Sequence, residues 1–140
     1  MIFDEALSPA AQHIFAIHPH GVMSFCHVIT WCAPAFLAVC PPERRRALGA
    51  SSIFMLPIIR DIVLASGGVL ASRPVAHKSL QAGYSLTVVP GGEREQIKTR
   101  RGEHSLFLQK RKGFCRLALA HGVPLIPCYC FGETDTYHCS

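Results

Sequence analysis

The sequence predicts an α/β domain, with a central, mostly parallel sheet flanked by helices. Three observations point there. Short apolar runs at 13–17 (HIFAI), 85–89 (SLTVV) and 125–131 (LIPCYCF) have the length and side-chain character of buried strands. Segments with helical spacing lie between them. Glycine or proline punctuates the joins, at Pro19, Gly67-Gly68, Gly83, Pro90-Gly91-Gly92 and Gly122. Strands that alternate with helices form βαβ units, whose strands run parallel.

Taken in order, HIFAI is a strand that feeds a loop at Pro19, and 22–33 has helical character. The run 36–40 reads as a second strand. Pro42 and Glu43 open a short basic helix, since proline suits a first helical turn. Helix continues over 52–59, and another begins at 60–65. Gly67-Gly68 stops it. A strand at 69–72 and a helix at 75–82 follow, the helix halted by Gly83. SLTVV is the best strand and ends at Pro90-Gly91-Gly92, and the polar stretch 98–105 reads as loop. The segment 113–121 carries Phe114, Leu117 and Ala118 on one face, as an amphipathic helix does. Gly122 stops it before the last strand, LIPCYCF.

Size and composition narrow the function. With 140 residues the chain makes one domain with a sizeable core. It is 49% hydrophobic and 16% charged, against about 25% charged in average chains, so extensive disorder is excluded. The net charge is +5. Basic residues cluster at Arg44-Arg45-Arg46 and over 98–112, without the interleaved aromatics of a nucleic-acid surface. They are a solvated face, or they meet a phosphorylated ligand or anionic headgroups. Seven cysteines at irregular spacing do not make a disulfide framework and suit a reducing compartment. The first eleven residues hold two acids and no base, unlike a secretory signal. No apolar run reaches the 18 residues of a spanning helix. Positions 21–42 lack Asp, Glu, Lys and Arg, which reads as buried core or as a surface that dips into a membrane.

Two loops after strands carry candidate chemistry. His18-Pro19-His20-Gly21 combines two imidazoles with a stiff proline and a permissive glycine. A neutral histidine can take a proton near pH 7, although a histidine in an apolar setting is more often a structural hydrogen bonder. Pro90-Gly91-Gly92-Glu93-Arg94-Glu95 offers glycines for close backbone approach, an arginine for a phosphate, and Glu93 or Glu95 to orient a histidine. A tight turn with a solvated charged tail explains it equally well. Lys110-Arg111-Lys112-Gly113-Phe114 precedes a helix start, where an anion can bind. A zinc site from His18, His20, Cys128, Cys130, His138 and Cys139 is disfavoured, because Cys-x-Cys and adjacent His-Cys do not match paired zinc-ligand spacing.

In order, HPHGVMSF, RDIVLASGGVLASR, VVPGGERE and RKGFCRLALAHGVPLIPCYCFGETDTY resemble the type-2 diacylglycerol acyltransferase family, with its monoacylglycerol and wax-ester acyltransferase relatives. The resemblance runs from about residue 13 to the end. It implies a glycerolipid-acyltransferase-like fold, acyl-CoA as co-substrate with no cofactor and no metal, and a mono- or diacylglycerol acceptor. It also implies a membrane surface at the endoplasmic reticulum, no nucleic acid, and a chain that can form homo-oligomers. By position, His20 is the base, His18 its supporting partner and Glu95 the carboxylate. Substrate-binding positions fall on Pro19, Gly21, Gly91, Gly92, Arg94, Arg111, Lys112, Gly113, Phe114, Gly132 and Glu133, and Tyr137 follows. Related acyltransferases place an Asp five residues after the histidine, where this chain has Phe25. The family's Gly after Ser-Phe is Cys26 here. The resemblance also implies an incomplete catalytic domain, with membrane segments before it and a further part after it. A non-catalytic lipid-binding fragment of the same family is the alternative.

Overall fold

The computed structural model describes residues 1–137. Five strands form one sheet: β1 (Ile14–His18), β2 (Arg45–Gly49), β3 (Gly68–Leu70), β4 (Ser85–Val88) and β5 (Leu125–Tyr129). Their order is β3-β2-β4-β1-β5, and every pairing is parallel. Six helices accompany them among the described residues: α1 (Phe25–Cys32), α2 (Pro34–Val39), α3 (Ile59–Ala65), α4 (Arg73–Gln81), α5 (Gly92–Lys98) and α6 (Gly113–His121).

HIFAI is apolar at nearly every position because β1 lies inside the sheet with both faces covered. Alternate side chains serve opposite cores. Ile14 and Ala16 join Leu86, Val88, Leu80, Leu117 and Ala118 beneath α4 and α6. Phe15 joins Trp31, Phe36 and Cys40 beneath α1 and α2. Ile14, Phe15 and Leu86 are fully buried, each contributing roughly 1.5–3 kcal/mol by leaving water.

The ends of these elements follow local chemistry. Pro34 occupies the first turn of α2 and Arg73-Pro74 opens α4, where the Ser72 hydroxyl accepts from Val75 N–H at 3.5 Å. Gly122 closes α6 in the left-handed region, with φ +61°.

Four expectations are corrected. The run at 36–40 is helical, as part of α2, because Pro34 starts a helix and a short apolar run does not reveal its own period. The basic segment is one 3-10 turn (Pro42–Arg44) followed by strand β2, not a helix. The segment after Gly91 is helix α5. At 52–59, a 3-10 helix (Ser51–Met55) and turns replace a continuous helix.

Strand β2 begins on a charge that sequence places on the surface. Arg45 is 3% exposed. Its guanidinium donates to the carbonyls of Cys40 (3.1 Å) and Trp31 (2.7 Å) and lies 3.9 Å from the Trp31 ring centre. Two buried carbonyls would otherwise lack donors.

Apolar side chains also face outward. Met55, Ile58 and Ile62 are largely exposed around α3, and Val28 and Ile29 on α1. The apolar stretch 21–42 is therefore core on one side and open on the other. No helix among the described residues is long and apolar enough to cross a membrane.

Replacing Arg45 with Ala should lower the unfolding free energy by about 2–4 kcal/mol in urea titration. A loss below about 1 kcal/mol would show that the two carbonyls find other partners.

Candidate active site

Neighbouring parallel strands end on the same side of a sheet, so their following loops meet. Strands β4, β1 and β5 are adjacent, in that order. Their loops carry PGGERE, HPHG and FGE. Three blocks spread over more than a hundred residues thus become one site.

Glu95 comes from α5 and is 3% exposed. One carboxylate oxygen accepts from His20 N–H at 2.6 Å and the other from Phe107 N–H at 2.8 Å. The expected contact between carboxylate and imidazole is replaced by contacts to main chain. Gly91 makes this possible, since a Cβ there would run into the Glu95 side chain. The exposed Glu93 takes no such part.

Glu133 comes from the turn after β5 and is 4% exposed. Its two oxygens accept from Phe25 N–H (3.0 Å) and Cys26 N–H (2.7 Å). These are orphan donors in the first turn of α1. Ser24 precedes them but makes no cap bond. A carboxylate from across the fold caps α1 in its place, where the helix dipole favours a negative charge. With both oxygens engaged on main chain, Glu133 ties the start of α1 to the turn after β5. Gly21 sits at φ +64°, and a Cβ there would collide with this carboxylate.

The two carboxylates grip the HPHG loop from opposite sides. His18 ends β1 and is 6% exposed, and the His18–Pro19 peptide is cis. Burial pushes the His18 pKa down, opposed by the charge of Glu95. Its Nδ1 is buried without a partner. His20 is half-buried, with Nδ1 3.0 Å from the Gly21 carbonyl oxygen. A carbonyl only accepts, so Nδ1 carries the proton and Nε2 of the neutral ring keeps its lone pair.

A third imidazole was not anticipated. His27 on α1 places Nε2 3.1 Å from Thr87 Oγ1 on β4 and packs edge-on against Trp31. Burial, then the charges of His20 and Arg45, push its pKa down to about 4. Its position in an apolar helix gave no sign of this.

Other expected residues are divided. Arg111 donates to the Gly91 carbonyl at 3.3 Å, so it reaches the glycine turn. Phe114 packs against the lower core. Arg94, Lys112 and Gly113 are exposed, and Gly132 is exposed with φ +84°. Tyr137 returns to stack on Phe25, ring centres 5.8 Å apart. Two residues outside the motifs support the loop. Gln96 donates to the Val22 carbonyl at 2.5 Å. The free Cys26 thiol donates to the Pro19 carbonyl at 3.7 Å, and its side-chain interaction with Cys130 pushes its pKa up and that of Cys130 down to about 7. His138 and Cys139 of the zinc alternative lie outside the described residues. Among the described residues no group of three or more His, Cys, Asp or Glu could hold a metal.

Gly21→Ala should destabilise the fold by about 3 kcal/mol, from positive-φ strain and displacement of a buried carboxylate, read by thermal or urea unfolding. Below pH 6.5 the unfolded chain takes up a proton that folded His27 refuses until about pH 4. Stability should therefore fall across that window, with His27 contributing on the order of 2 kcal/mol. His27→Gln should flatten the pH dependence of the urea midpoint, and an unchanged slope would remove His27 as its source.

The comparisons with known proteins agree on one family. A family profile described as diacylglycerol acyltransferase matches residues 1–140. The chain is 36% identical over 142 residues to diacylglycerol O-acyltransferase 2 of Dictyostelium discoideum, covering 98% of this chain and 43% of that protein. It is 38% identical over 143 residues to acyl-CoA wax alcohol acyltransferase 2 of Mus musculus, with shares of 98% and 43%. It is 36% identical over 141 residues to 2-acylglycerol O-acyltransferase 3 of Homo sapiens, with shares of 94% and 40%. The chain thus spans about two fifths of the length of these relatives. No solved structure matches it. Motifs, fold and relatives together show that this chain belongs to the diacylglycerol acyltransferase family.

Proposed function

We propose that the protein is an acyl-CoA-dependent O-acyltransferase, which moves a fatty-acyl group onto the free hydroxyl of a mono- or diacylglycerol and so serves triacylglycerol synthesis. The observation that carries this is the state of His20. Its Nδ1 is committed to the Gly21 carbonyl, which leaves Nε2 as a base, and its main chain is tied to a buried carboxylate. The names of the relatives, which act on diacylglycerol, 2-acylglycerol or wax alcohol, support the acceptor class.

In this reading His20 Nε2 takes the hydroxyl proton as the acceptor oxygen attacks the thioester carbonyl. The tetrahedral intermediate collapses, the C–S bond breaks, and the CoA sulfur leaves with that proton. Bond formation and cleavage balance without metal or redox chemistry, so the only companion needed is acyl-CoA as co-substrate. Glu95 serves as a positioning residue, holding the His20 main chain through its bond to that N–H. Arg111, over the glycine turn, and the exposed Arg94 and Lys112 are cations suited to CoA phosphates. The exposed apolar residues of α1 and α3 suit a membrane surface, which we place at the endoplasmic reticulum.

In the full-length protein, His20→Ala should lower acyl transfer at least about a hundredfold, the scale of a general base. Activity within tenfold of the parent would sink that role. Liposome flotation alongside labelled acyl-CoA turnover separates an enzyme from a lipid-binding module, since the latter floats without turning over.

A further inference from the structure

An open cavity of about 380 Å³ lies on the α6 side of the sheet, beside β5. That size falls within the roughly 300–1,000 Å³ of small-molecule sites. Its lining includes His18, Leu106, Leu108, Phe114, Leu125 and Pro127. No Asp, Glu, Lys or Arg lines it, although the chain carries 23 such residues. His18 is the one lining member drawn from the HPHG loop's own tetrad, so the cavity opens at the reacting loop.

Its direction follows from the strand register. His18 is opposite Tyr129, Ala16 opposite Pro127 and Ile14 opposite Leu125. Alternate residues share a face, so Ala16 and His18 present the same side as Leu125, Pro127 and Tyr129. The apolar floor therefore runs from Tyr129 back to Leu125, a distance of about 13 Å at 3.3 Å per residue. One end meets the loop that holds His20 and the other lies deep along the sheet.

We infer that this cavity holds the fatty-acyl chain of the thioester donor, with its length set by Leu125 at the end remote from His18. The inference rests on the acyltransferase reading above. In a thioester the chain begins at the reacting carbon itself. The chains already carried by a glycerolipid acceptor begin several bonds from the attacking oxygen. A slot whose mouth is the catalytic loop therefore fits the donor chain. A neutral His18 matches that uncharged occupant, since an imidazolium there would face hydrocarbon.

The test uses the purified full-length protein and two variants of the remote end, Leu125→Trp and Leu125→Ala. Binding of palmitoyl-CoA and octanoyl-CoA is measured by calorimetry, and transfer from each donor is measured in parallel. Leu125→Trp should lower the palmitoyl-to-octanoyl ratio at least about tenfold in both assays, the lower range for misfit in a hydrophobic pocket. Leu125→Ala should move the preferred donor to a longer chain. Unchanged ratios in both variants, with wild-type thermal midpoints, overturn the inference. So does a shift that follows the chain length of the diacylglycerol and not of the donor. A wild type that binds acyl-CoA but transfers from no donor defeats the acyltransferase reading alone, and the binding ratios still decide the cavity.

Discussion

Two buried carboxylates fix the HPHG loop and the start of α1, and the rest of the site depends on them. Glu95 takes the main-chain N–H groups of His20 and Phe107, and Glu133 those of Phe25 and Cys26. A buried ionised carboxylate is costly in isolation. Each of these offsets that cost with two short bonds from N–H donors, the stronger kind of hydrogen bond because one partner is charged. The donors gain as well, since none has a strand or helix partner for its N–H. Removing Glu95 would strip the amides of His20 and Phe107 of their partner, and removing Glu133 those of Phe25 and Cys26 at the start of α1.

The grip works only because the sheet is parallel in this order. Glu95 follows β4 and Glu133 follows β5, while the loop they hold follows β1, the strand between them. A different order would part the three loops even with every strand intact. Small residues complete the fit. Gly91 and Gly21 let the carboxylates approach where any Cβ would intrude. The outcome is a loop whose geometry is set before substrate arrives, which is what catalysis by position requires.

The three imidazoles nearby differ because their surroundings differ. His18 is enclosed by the sheet and kept neutral by burial. His27 is pushed down to about 4, mainly by burial between Thr87 and Trp31. His20 alone stands half-open, with one nitrogen tied back to its own loop. Packing thus gives neighbouring histidines different surroundings, with an apolar cavity on the His18 side and a half-open ring at His20.

Much was legible in the chain itself. HIFAI and SLTVV are strands because apolar runs this short, bounded by glycine and proline, can be buried on both faces, whereas LIPCY forms the part-exposed edge strand beside β1. Helix α6 has the bounds that its spacing and Gly122 require. The motif order alone identified the family. Local pattern failed where long-range contacts override it. Arg45 looks like surface until Trp31 and Cys40 supply carbonyls and a ring for its guanidinium, and only then is β2 a strand with a buried charge. The same holds for the two acids. Sequence determined that Glu95 and Glu133 sit in glycine-marked turns after strands. Only the tertiary structure decided that they bind main chain and not an imidazole or a ligand, because their partners lie 75 and 107–108 residues away and meet them through strand order.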